Sequence, residues 1–154
     1  MNDTRGPSFR PPNWIDRTIN RVFGVFLKLG LGLAHNYLLE VRGRKTGSTY
    51  STPVNVLEHK QRRYLVAPRG FTQWVRNVEA SGAGTLVRGA RRERIRLRPV
   101  ADEAKAEILK AYLDRYKITV QRYFPIAAKS PAQAFAPLTA RYPVFELTPN
   151  QDAA

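Results

Sequence analysis

Residues 38 to 57 read LLEVRGRKTGSTYSTPVNVL, two strand-like runs rich in β-branched and aromatic residues on either side of a compact turn. Runs joined so briefly pair antiparallel, because a parallel partner needs a crossover of a dozen residues or more. The turn carries Gly43 and Gly47, which admit conformations other residues resist, around Arg44, Lys45 and Thr46. Two cations, a hydroxyl and exposed backbone N–H groups can converge on a phosphate. A basic tip that only keeps a hairpin soluble has the same composition.

Strand signals recur along the chain, near 37–43, 49–58, 62–67, 84–88, 91–100 and 143–148. The turns between them are EHKQR, connecting the second and third, and Arg88-Gly89-Ala90-Arg91, connecting the fourth and fifth. Six such strands suit a small barrel of mainly antiparallel α+β class. Asn13 caps a predicted helix whose stripe of Ile15, Ile19, Val22, Phe23, Phe26 and Leu29 covers the barrel. The same stripe, beside Arg17, Arg21 and Lys28, also suits an anionic lipid surface. A short helix carries Trp74 and Asn77 on one face and closes at Ser81-Gly82. Asp102 begins another helix, in which Tyr112 and Tyr116 lie one turn apart, and a further short helix follows Ser130-Pro131. The expected organisation is a flexible start (1–12), one domain (13–149) and a flexible tail (150–154).

A net charge of +14, from 26 basic and 12 acidic residues, predicts attraction to polyanions without choosing among nucleic acid, anionic lipid and an acidic coenzyme. With no cysteine there is neither a disulfide framework nor a thiol nucleophile. His35 and His59, the two histidines, lack ligand spacing, so no metal site is expected. The polar, proline-rich opening MNDTRGPSFRPPNW is unlike a secretory signal, and VFGVFLKLGLGLA is short for a bilayer span. A cytoplasmic protein is expected. In RRERIRLR, alternation puts Arg92, Arg94, Arg96 and Arg98 on one strand face, predicted to meet solvent, and Ile95 and Leu97 on the other. Without interleaved aromatics that row does not suit base stacking, which ranks a nucleic-acid-binding barrel last among the functional readings.

The order GRKTG, STPV, APRG, then WVRN resembles the actinobacterial deazaflavin-dependent nitroreductase family, within the wider group of split β-barrel flavin and deazaflavin proteins. The resemblance spans residues 13 to 148 and is densest from Tyr37 to Val100. It implies a six-stranded split barrel binding an 8-hydroxy-5-deazaflavin coenzyme with a phosphate and an acidic tail, with FMN as the alternative. It further implies that Arg44, Lys45 and Thr46 hold the phosphate and that the backbone of Thr52, Pro53 and Val54 runs beside the ring. Arg69 and Gly70 would meet the phosphate or tail, and Trp74 and Asn77 would lie beside the coenzyme. Tyr112 and Tyr116, with Tyr123 nearby, are then candidates for substrate contact or proton donation. The mycobacterial pattern HPxWYxNL is broken here: no His-Pro pair precedes Trp74, and Val75 stands in place of the Tyr. That puts nitro-prodrug activation in doubt. The expected function is hydride transfer to an electron-poor small molecule such as a quinone, enone or nitroaromatic, by a protein that dimerises as split barrels often do. The alternative is a non-catalytic carrier of a fatty acid or other ligand.

Overall fold

A computed structural model describes residues 36–151. The predicted helix from Asn13, the segment 1–12 and the last residues of the tail lie outside the described residues. β1 (Asn36–Arg42) and β2 (Thr49–Asn55) pair antiparallel from Asn36↔Asn55 to Arg42↔Thr49, as the short turn between them dictates. β3 (Leu57–His59) and β4 (Arg62–Val66) form a second hairpin, whose tip places Lys60 and Gln61 at positive φ, 50° and 65°. Helix α1 (Gln73–Ser81) follows and ends where Gly82 takes φ 66° and donates its N–H to the Val78 carbonyl at 2.7 Å. β5 (Ala83–Arg88) and β6 (Arg91–Pro99) are joined through Gly89, and β7 (Val144–Pro149) closes the order.

The result is one seven-stranded, entirely antiparallel sheet in the order β2-β1-β5-β6-β7-β4-β3. The sequence predicts six strands, with 49–58 as one. In the structure that run is divided at Val56: β2 lies on one edge of the sheet and β3 on the other. Two consecutive Cα steps span at most about 7 Å, so the two edges must nearly meet at Val56. The sheet is therefore curled into a half-barrel, and the seventh strand arises where one extended segment passes between its edges.

Alternation along the strands supplies two cores. Leu39, Leu65, Leu86, Ile95, Phe145 and Leu147 point into the curl and meet Val75 and Val78 of α1. On the other face, Tyr64, Val66 and Val144 are covered by α2 (Ala106–Val120) and by a 3-10 run, Ala132–Arg141. The latter is the short helix expected after Ser130-Pro131; it is tighter than an α-helix and contains Pro137, which cannot donate an i→i−4 bond. Full burial of each such side chain is worth about 1.5–3 kcal/mol. Arg92, Arg94, Arg96 and Arg98 are exposed while Ile95 and Leu97 are buried, as the alternation predicts. Among the described residues, no helix is long and apolar enough to cross a membrane.

Candidate functional site

The β1–β2 turn, the β2 edge, the start of α1 and the end of α2 enclose a cavity of about 1300 Å³. Its first wall is the basic turn laid against α1. The Arg44 backbone N–H and guanidinium both donate to Asn77 Oδ1, at 3.1 and 2.7 Å, and a second guanidinium nitrogen donates to Gln73 Oε1 at 3.0 Å. Gln73 and Asn77 are four residues apart and so share a helix face. Asn77 is 5% exposed, which makes these bonds a fixed attachment between turn and helix. The resemblance offered the whole turn to a phosphate. The structure uses much of it internally: Gly43 N–H donates to the Ser48 carbonyl at 2.6 Å and Gly47 N–H to the Gly43 carbonyl at 2.9 Å. Ser48 N–H donates to Thr46 Oγ1 at 3.2 Å. A Cβ at Gly43 would sit 2.5 Å from the Tyr50 ring and 3.2 Å from the Ser48 carbonyl oxygen, so a larger residue there requires the exposed Tyr50 side chain to move.

Lys45 and Thr46 line the cavity, as do Thr52, Pro53, Val54, Arg69 and Trp74. Pro53 occupies the edge strand β2, where its missing N–H breaks no ladder bond on the open side. Trp74 is half-buried, its ring 6.1 Å from that of Phe145. Gly70 is not in the wall. At φ 83° it turns the chain between β4 and α1, its N–H donating to the Ala67 carbonyl at 3.1 Å.

The opposite wall is aromatic. Tyr112 is 3% exposed, and burial pushes its phenol pKa well up, against a lowering hydrogen bond with Asn55. The Tyr116 ring lies 5.2 Å away, and its hydroxyl donates to the Val56 carbonyl at 3.0 Å, at the bend where that oxygen leaves the sheet ladder. Burial raises its pKa too. Helical geometry is interrupted at Tyr116, with φ −112° and ψ 23°, and the chain beyond it forms the cavity rim through Lys117, Ile118 and Arg122. The Tyr123 hydroxyl accepts from Arg122 at 2.7 Å.

Sequence reasoning assigned no site role to Thr72, Gln73, Tyr50, Arg115 or Lys117, all of which line the cavity. For Gln73 the available signal was its four-residue spacing from Asn77. Among the described residues the lining holds six basic side chains, Arg44, Lys45, Arg69, Arg115, Lys117 and Arg122, and no Asp or Glu. A low-dielectric cleft lined by one sign of charge focuses its field and favours anionic ligands.

The model of the F420H(2)-dependent quinone reductase family matches residues 14–129. No curated protein matches the sequence. Among solved structures, the protein Atu2129 of unknown function from Agrobacterium tumefaciens is 15% identical, with a TM-score of 0.54. That match covers 93% of this chain but only 58% of that one. An F420-H2-dependent reductase, FDR-A, is 18% identical over 75% of this chain and 95% of its own, with a TM-score of 0.52. A putative 5-nitroimidazole antibiotic resistance protein from Bacteroides thetaiotaomicron is 13% identical, over 85% and 79% of the two chains, with a TM-score of 0.52. At these identities the structures speak to a shared fold.

Proposed function

The chain belongs to the F420H(2)-dependent quinone reductase family, and on that premise we propose that it reduces a quinone-like acceptor with the reduced deazaflavin coenzyme F420, inside the cavity between α1 and α2. The observation that carries the reading is a roomy cleft whose described residues include six cations, no carboxylate and an apolar strip at Pro53, Val54 and Trp74. A planar ring bearing anionic groups fits that distribution. The fit is supported by Thr72, whose buried Oγ1 has no partner among the described residues.

Bound there, the coenzyme would supply the two-electron chemistry. The protein's part is binding, orientation and exclusion of water. Lys45 and Arg69 draw the anionic groups, while Arg44, held by Asn77 and Gln73, fixes the turn against α1. Val54 and Trp74 offer apolar contact to a ring. Tyr112 stays protonated through the neutral range because burial disfavours its phenolate. Tyr116 already commits its proton to the Val56 carbonyl, so water entering at the rim is the proton source this geometry favours. The family match favours a quinone as acceptor, and Val75, where the nitro-reducing pattern has a tyrosine, is buried in the core and does not line the cavity.

The test is a fluorescence titration of the protein with F420, and with FMN in parallel, comparing wild type with Lys45→Ala. Saturable F420 binding weakened about tenfold by the substitution is expected. Reoxidation of the reduced coenzyme by a soluble quinone should then follow. Absence of saturable binding even at low salt would sink the proposal, and co-purified lipid in its place would favour a carrier.

A further inference from the structure

Helix α1 begins in an unusual electrical state. Its N-cap residue is Thr72, a type that ordinarily turns its hydroxyl onto an amide of the first turn, yet here the side chain makes no capping bond. The residue is 7% exposed, and its Oγ1 finds no hydrogen-bond partner among the described residues. The first turn contains no acidic side chain, so the positive end of the helix is not offset from within. The first helical bond runs from Arg76 N–H to the Thr72 carbonyl, and the amides of Gln73 and Trp74 have no backbone acceptor among the described residues. Thr72, Gln73 and Trp74 all line the cavity. A buried hydroxyl donor, two amide donors and a helix N-terminus thus meet on one wall.

We propose that Thr72 and the first turn of α1 form an oxyanion subsite, separate from the Arg44–Lys45–Thr46 turn, that takes a phosphoryl oxygen. This deepens the function proposed above and rests on it for the identity of the phosphate's carrier, the coenzyme. The chemistry of the subsite requires only an anionic oxygen that accepts from the Thr72 hydroxyl and the helix amides. Such an acceptor would satisfy a buried side-chain oxygen of this wall that has no partner among the described residues. It also explains the missing cap: a hydroxyl turned onto its own helix would compete with the ligand for the same donors.

Thr72→Val keeps the shape and removes the hydroxyl, and Thr72→Ser keeps the hydroxyl. Losing an unpartnered buried oxygen costs no hydrogen bond, so Thr72→Val should fold with an unchanged or higher melting temperature. Wild type and both variants are titrated with F420 by fluorescence and with inorganic phosphate by the shift in melting temperature. Thr72→Val should bind F420 about tenfold more weakly and lose most of the phosphate-induced shift, with Thr72→Ser within about threefold of wild type. Equal F420 binding by wild type and Thr72→Val would overturn the subsite while leaving the coenzyme reading intact. A Thr72-dependent phosphate shift without F420 binding would uphold the subsite and overturn the coenzyme reading. No response to either ligand in wild type would overturn both.

Discussion

Arginines and lysines stand in two different settings in this molecule. Away from the cavity several are paired with carboxylates: Arg92 with Glu40, Arg63 with Glu93, Lys60 with Glu107, Arg62 with Glu146 and Lys110 with Asp114. Around the cavity no carboxylate among the described residues contributes to the lining, and Arg44 is held by the neutral carboxamides of Asn77 and Gln73. An amide fixes a guanidinium in place without cancelling its charge. A carboxylate does both. Exposed ion pairs contribute only about 0–1 kcal/mol to stability, so placing acidic residues there does little for the fold. It keeps those carboxylates out of the cavity lining.

That contrast is most directly broken by Asn77→Asp, which keeps the shape of the side chain and converts the amide clamp into an ion pair. Folding stability should hold or rise, and F420 affinity should fall at least about tenfold as a negative charge enters the cleft. Chemical denaturation and the fluorescence titration read the two effects separately, and retained affinity would show that the anchor's neutrality is incidental. The aromatic wall offers a smaller effect of the opposite kind. Tyr116→Phe removes the bond to the Val56 carbonyl and should cost about 1 kcal/mol in denaturation while changing coenzyme affinity by less than about threefold. A large affinity loss would move Tyr116 from the scaffold to the ligand.

The smallest effect belongs to the paired exterior. Arg63 holds the Glu93 carboxyl below its ordinary range, against partial burial. A depressed folded-state pKa stabilises above the unfolded value, near 4.5, and that contribution is lost as pH falls through the folded value. Glu93 is 43% exposed, so the contribution should stay under about 1 kcal/mol. Glu93→Gln should therefore flatten the stability profile slightly between about pH 5 and 3 and leave stability above that range lower by the same amount, as followed by denaturation across pH.

Much of this arrangement was legible in the chain. The strands flanking GRKTG, the glycine that ends α1 and the outward row of arginines are local patterns, each set by periodicity or by one residue's conformational freedom. The break at Val56 was not. No glycine or proline stands there, and the strand divides only because sheet curvature brings distant edges together. The resemblance singled out Trp74 and Asn77, and both meet the cavity, but nothing in the sequence said that Asn77 would receive Arg44 across 33 residues. Thr72 and Gln73 look like ordinary polar residues at a helix start. What distinguishes them is the absence of a cap and the presence of a partner, and both are properties of the folded contacts.

The crossing at Val56 also bears on how the protein avoids sticking to itself. A sheet of seven strands ordinarily ends in two rows of unpaired backbone groups, each a template for recruiting another chain. Here one row belongs to β3, three residues long, and the other to β2, which carries Pro53 and borders a charged cleft. Since a single residue joins them, the two ends of the sheet lie side by side at that corner instead of at opposite margins. The seam that completes the curl is in this sense a guard against aggregation, and the cleft beside it gives one of these edges a use.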